Sequence, residues 1–175
     1  RGHEFGLRTQ AVNGLQSSLA LWRLNFDSEL IYVGDAGTTE ASRASKRYGI
    51  EWHNHWVLGL YNKALDGWLI DVDLAASQAR FTQAAAEGQR IPGAVGRVAS
   101  FGLTYDGSGP LFGQFQLRHF GPRDLTEDGT QRSAATTLAS ARLGWRSTPD
   151  ITVTADVFNL FDKKASGIDY HYTSR

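Results

Sequence analysis

Glu51, His53 and His55 stand two residues apart in the stretch Ile50–Trp56. At that spacing their side chains share one face of an extended strand. A His-x-His pair can present two imidazoles to a zinc ion, but zinc takes about four ligands and the sequence places no third or fourth. A wall that faces water is the ordinary reading of the same residues. Asp71 and Asp73 repeat the spacing and could act as a carboxylate pair. Pairing with basic residues such as Arg8 or Arg142 is the commoner use of acids so placed. A third group, Arg118, His119, Arg123 and Arg132, lies at a strand end and in the adjoining loop, among Asp124, Glu127 and Asp128. Guanidinium groups grip carboxylates and phosphates through two parallel hydrogen bonds. That makes this group the best candidate for touching an anionic ligand, against the plainer reading of a solvated loop. Cysteine is absent, so thiol catalysis is excluded. No nucleophile elbow or phosphate loop is present, and no serine is partnered with His53 or His55. Neither an enzyme nor a bound cofactor is expected.

The elements that must position these groups are written as alternation. Thr137, Ala139, Ala141, Leu143 and Trp145 alternate with Leu138, Ser140, Arg142, Gly144 and Arg146, which describes a strand with one apolar and one polar face. Ser147-Thr148-Pro149-Asp150 is turn chemistry, and Ile151, Val153, Ala155 and Val157 then resume the pattern as the second arm of a hairpin. Earlier in the chain the same pattern predicts strands from Phe5 to Ala11, Ser18 to Phe26, Tyr48 to Leu60, Trp68 to Ser77, Ala99 to Tyr105 and Leu111 to Leu117. The second of these is imperfect. Ser18, Ala20, Trp22, Leu24 and Phe26 form its nominally apolar side, with Leu19 and Leu21 on the other. Three long loops are expected, over about Ser28–Arg47, Phe81–Arg97 and Gly121–Thr136, the second containing a helix-friendly run, Gln83–Glu87.

The result is an all-β chain of about eight strands, each near the ten residues of a tilted membrane span, or about 25 Å of height. Its connections alternate short and long, as in outer-membrane barrels, whose short turns lie at one end and long loops at the other. Alternation alone does not say which face is outside, and a soluble barrel would put the apolar face within. Trp22, Trp52, Trp56, Trp68 and Trp145 are all assigned to the apolar face, several near strand ends, where a membrane girdle needs them. In a membrane barrel the face bearing Arg8, Glu51, Asp71, Arg142 and Asp156 must line a wet lumen. The formal charge is zero, so nothing in bulk electrostatics points to nucleic acid. No apolar run is long enough for a membrane helix, which excludes helical spanning only.

The segment Asp156-Val157-Phe158-Asn159-Leu160-Phe161-Asp162-Lys163-Lys164 resembles the penultimate-strand signature near the C-terminus of TonB-dependent outer-membrane receptors. Ile168-Asp169-Tyr170-His171-Tyr172 is similar to the stretch after that signature in some members, and Ile91-Pro92-Gly93 to a motif that precedes a strand. The resemblance implies an antiparallel up-and-down transmembrane β-barrel of about twenty-two strands, of which residues 1–175 are the C-terminal portion, an incomplete curved sheet. It implies that a plug domain and the final strand lie outside this sequence. It further implies an active-transport receptor in the outer membrane of a Gram-negative cell. Its partners would be the surrounding lipid, a small-molecule ligand such as a metal chelate, most often a ferric siderophore, and the TonB complex reached through the plug. A self-contained eight-stranded barrel, acting as a structural membrane protein or a binder of an apolar molecule, is the alternative. In that case the first strand would close onto the last.

Overall fold

A computed structural model describes residues 1–33 and 38–166. Eight long strands form one antiparallel meander: β1 (Gly2–Thr9), β2 (Leu15–Phe26), β5 (Ser45–Val57), β6 (Trp68–Ala85), β8 (Arg97–Asp106), β9 (Leu111–Phe120), β10 (Thr136–Thr148) and β11 (Ile151–Val157). Each pairs with its neighbour in that order, and a short strand β7 (Gly88–Arg90) adds to β6. Among the described residues β1 pairs only with β2 and β11 only with β10, so the sheet is not closed. This disfavours the self-contained barrel and agrees with an incomplete wall.

Turns lie where Gly, Asn, Pro and Asp sit: Asn13-Gly14 before β2, Asp106–Pro110 before β9, and Pro149-Asp150 before β11. Gly14 and Gly67 adopt positive φ of 77° and 81°, and a side chain at either would strike backbone of the facing segment. Three expectations need correction. The strand expected to run to Leu60 stops at Val57, and Leu58–Tyr61 makes a single helical turn followed by a 3-10 turn, Lys63–Leu65. The first long loop carries two short strands, β3 (Leu30–Val33) pairing β4 (Thr38–Ala41). The alanine run Gln83–Glu87 is not helical; it prolongs β6 to Ala85, which pairs with Gly88 of β7. Partner hydrogen bonds across a hairpin outweigh the weak local preference of alanine for helix.

The register fixes which side chains share a face. Across one row lie Leu7, Leu19, Trp52, Leu74 and Ala99, and across another Leu21, Ile50 and Ala76. This face is apolar and open: Phe5 is 71% exposed and Leu143 63%. No carboxylate of the eight long strands lies on it; Glu4, Glu51, Asp71, Asp73, Asp106 and Asp156 are all on the other face. So wide an apolar surface needs a non-aqueous neighbour.

Four of the five tryptophans follow the expected phase. Trp56, Trp68 and Trp145 cluster on the apolar face at the short-turn end, where Trp56 meets Tyr61 edge-on at 5.5 Å and Trp68 packs against Tyr105 at 4.9 Å. Trp22 is the exception, because β2 runs in the opposite phase to the one expected: Leu19 and Leu21 face outward and Trp22 inward. Trp22 lies over Gly49, where a Cβ would come within 2.6 Å of the ring, and its Nε1 donates to Glu51 Oε1 at 2.9 Å. A bare glycine backbone and an acceptor together accommodate an indole on a polar wall.

Tightly buried side chains are few, and several gather at the long-loop end. Phe81 is 1% exposed, opposite Ser45 and beneath the Arg43 guanidinium at 4.3 Å. The last strand runs into the Asn159–Lys163 turn, with Asn159 and Asp162 at positive φ of 52° and 46°. Asn159 Oδ1 accepts from the Lys163 amide at 2.9 Å and its Nδ2 donates to the Lys163 carbonyl at 3.0 Å, tying the strand end into the turn. Phe161 is 70% exposed. The segment Ile168–Tyr172 lies outside the described residues.

Candidate functional site

The polar face of the sheet is the first half of the site. One register row crosses six strands through Arg8, Ser18, His53, Asp73, Ser100 and Arg118. The next row brings His55 opposite Asp71. Direct opposition makes the contacts: His53 Nδ1 lies 3.0 Å from Asp73 Oδ1, and His55 Nδ1 lies 2.7 Å from Asp71 Oδ1. Asp71 and Asp73 therefore pair with the two histidines rather than with Arg8 or Arg142. Arg142 instead donates from Nε to Asp156 Oδ1 at 2.7 Å, straight across β10 and β11. Each carboxylate fixes its imidazole by Nδ1 and leaves Nε2 toward open space, apart from His53 Nε2 standing 3.7 Å from Glu51 Oε2. Among the described residues no group of three or more His, Cys, Asp or Glu side chains is set to hold a metal ion.

Arg8 ends that row at the β1 edge, and beyond Arg118 it continues to Leu138 of β10. Arg118 is exposed on the polar face, opposite Ser100 and Leu138, and makes no hydrogen bond or ion pair with the described residues. His119, adjacent in sequence, points to the opposite, apolar face, where its Nδ1 lies 2.8 Å from Thr137 Oγ1. The two neighbours expected to form one ligand group are thus separated by the thickness of the sheet.

The long loops form the second half. Arg132 Nε lies 3.0 Å from Asp124 Oδ1, while Arg90 Nη1 donates to Asp124 Oδ2 at 2.8 Å, so one carboxylate sits between two guanidiniums. Arg123 is held through its backbone, its N–H donating to Ser133 Oγ and its carbonyl accepting from the Ser133 amide. The turn Thr126–Thr130 winds around Asp128. Hydrogen bonds from the Thr126 hydroxyl at 2.5 Å and the Thr130 amide at 3.0 Å hold its carboxyl below the usual range.

Arg43 ties the loops together. From the first loop it donates to the Gln83 carbonyl at 3.1 Å and the Gly88 carbonyl at 3.3 Å around the β6–β7 turn, and it pairs with Glu127 of the third loop. Glu29 anchors the start of the first loop. It takes Arg47 bidentately, with both bonds at 2.9 Å, and a bond from Ser45. Partial burial opposes ionisation of Glu29, but the Arg47 and Ser45 hydrogen bonds and the Arg47 charge hold its carboxyl below the ordinary value.

Sequence reasoning finds Arg132 but misses Arg90, Arg43 and Glu29. Their partners lie between 16 and 84 residues away, and no local pattern marks them.

Chemically, the arrangement offers a water-facing wall with cations at Arg8 and Arg118, two polarised imidazoles, and loops that carry arginine at their base. It suits transient contact with a polar, anionic solute. Among the described residues no serine or threonine hydroxyl hydrogen-bonds His53 or His55, although Ser18 stands opposite His53 in the register.

A family model described as TonB dependent receptor-like, beta-barrel, matches residues 1–160. No curated protein sequence matches significantly. Among solved structures, the ferric-catecholate import receptor Fiu from E. coli K12 is 18% identical, with a TM-score of 0.71 over 93% of this chain and 23% of that one. The ferric yersiniabactin uptake receptor FyuA from Yersinia pestis is 20% identical, with a TM-score of 0.73 over 93% of this chain and 24% of that one. The copper transporter OprC is 22% identical, with a TM-score of 0.68 over 93% and 25%. The chain spans about a quarter of the length of these structures.

Proposed function

The chain belongs to the TonB-dependent receptor β-barrel family, and from that premise we propose that it is the C-terminal part of the wall and extracellular loops of a receptor importing a ferric siderophore. Family and fold are those of outer-membrane transport receptors rather than enzymes. The observation that carries the reading is the division of the sheet: every carboxylate of the eight long strands is on one face, and an exposed apolar surface is on the other. An arginine such as Arg8, Arg118 or Arg142 moved to mid-depth on the lipid face would cost about 2–4 kcal/mol, and a carboxylate less. The charged face must therefore line the lumen, and the long loops then lie outside the cell.

In this reading residues 1–175 supply one arc of the barrel, and the plug, its TonB contact and the remaining strands come from the rest of the receptor. An anionic iron chelate meets Arg123 and Arg132 of the third loop first. It then passes Arg118, with His53 and His55 lining the path below. The ligand class is supported by the names of two of the similar structures, which specify ferric-catecholate import and ferric yersiniabactin uptake. His119 is left out of the path because its side chain is on the apolar face.

The test uses the full-length receptor in a Gram-negative host stripped of its own iron receptors, with uptake of labelled iron delivered by catecholate, hydroxamate and carboxylate siderophores. One of the three should restore uptake, and Arg118→Ala should raise the half-saturating concentration about tenfold, the loss of one charge-assisted contact. Restored copper uptake with no iron siderophore transported would overturn the ligand assignment.

A further inference from the structure

On the apolar face, β5, β6 and β8 enclose a groove of about 420 Å³ with a nearly featureless hydrocarbon lining. Small side chains, Ala76 and Ala99, make its floor, and Leu19, Ile50, Trp52 and Leu74 its sides. At the long-loop end the lining changes to Arg97 and His119. Arg97 also lines a second, polar cleft of about 260 Å³ immediately above, together with Arg80, Arg90 and Arg132. Among the described residues the only carboxylate lining that cleft is Asp124, which already lies between Arg90 and Arg132. Arg80 has only the neutral Gln78 side-chain amide beside it, an acceptor once that amide turns its oxygen toward the guanidinium, and Arg97 makes no side-chain hydrogen bond or ion pair with the described residues. Register places Arg80 and Arg97 on the same face as the apolar band, as it does Lys46 and Arg23 beside them.

An uncompensated cation at the edge of hydrocarbon is costly unless an anion accompanies it. A hydrocarbon slot continuous with an arginine cleft matches one chemistry: an acyl chain carrying a phosphate. We propose that this surface is a binding site for a phosphorylated, acylated lipid of the surrounding leaflet, with a chain in the Ala76–Ala99 groove and the phosphate between Arg80 and Arg97. A free phosphate would leave the groove empty, and a neutral lipid would leave the two arginines unmatched. Arg80 and Arg97 are on the face of the sheet opposite Arg118, His53 and His55, and Arg132 of the loop borders the cleft without being assigned to the phosphate. Its test is therefore independent of which solute is imported.

The experiment places the full-length receptor in phosphatidylcholine nanodiscs doped with bisphosphorylated lipid A or with the same lipid dephosphorylated, and counts retained lipid by native mass spectrometry. Expected is a preference of about tenfold or more for the phosphorylated form, lost in the Arg80→Gln/Arg97→Gln double variant. Ala99→Trp, which fills the groove and leaves the arginines intact, should weaken retention of both forms. For the double variant the preference is a ratio within one preparation, so poor folding lowers both counts without mimicking its loss; for Ala99→Trp, an unchanged heat-dependent shift of the barrel on gels separates a filled groove from a misfolded chain. Equal retention of the two lipids by the native receptor would overturn the proposal. So would a preference unchanged in the double variant, or displacement by a soluble phosphorylated disaccharide as effective as by the whole lipid.

Discussion

Glu29 shows how a single carboxylate fixes a loop and makes it sensitive to acid. Its folded-state affinity for a proton is lowered by Arg47 and Ser45, so the stability it contributes is fully present above its ordinary value of 4.5. That stability is lost as pH falls through the lower, folded value. Pepsin digestion of the intact receptor should therefore cut the first loop slowly at about pH 5 and increasingly fast toward about pH 3. Glu29→Gln, which removes the charge and weakens the bidentate pair at a cost of about 1–3 kcal/mol, should be cut fast throughout. A native loop equally resistant across that range would show that Arg47 does not depend on Glu29. The imidazoles at His53 and His55 are a different case: each is held by an exposed acid across a strand pair, and the pairing orients the rings more than it stabilises the sheet.

At the level of strands, phase decides the outcome. Leu103 and Thr104 are adjacent on β8, yet Leu103 shares the apolar face with Ile70 and Phe115, and Thr104 the polar face with Leu69 and Gln114. Leu103→Arg should destabilise the folded receptor in lipid vesicles by about 2–4 kcal/mol by urea titration, whereas Thr104→Arg should change it by less than about 1 kcal/mol. Equal costs would mean that the two faces are not lipid and water. This phase is legible in the sequence for β5, β6, β8, β9, β10 and β11, because alternation is local and each strand carries enough of it. β2 escapes such a reading for a physical reason. Trp22, Leu24 and Phe26 look like an apolar face, but they turn inward toward Gly49, Arg47 and Ser45, while Leu19 and Leu21 carry the membrane surface. Only the partner strand reveals that exchange. The pairing of His53 with Asp73 and of His55 with Asp71 is equally invisible, since it depends on a register set by strands meeting through a ten-residue connection. The alanines of the second loop favour helix by propensity alone, and strand pairing overrides it.

For the molecule as a whole, the two edges of the sheet dominate. β1 and β11 each present one unpaired row of backbone groups among the described residues, and lipid offers those groups no partners. Residues 1–175 alone should aggregate rather than refold as a monomer in detergent. A sharp, reversible unfolding transition with barrel-like heat resistance would count against this arrangement. At the opposite extreme stands Arg43, whose one guanidinium joins its own loop to the β6–β7 turn and to the third loop at the long-loop end of the sheet. Such a rivet couples their fates. A protease nick, an antibody or a ligand that displaces the turn around Gly88 also loosens Glu127 and the approach to β5. Sequence drift at the base of any one of these stretches is then constrained by the other two, which leaves the outermost tips as the ground where such a receptor is free to change its appearance to the outside world.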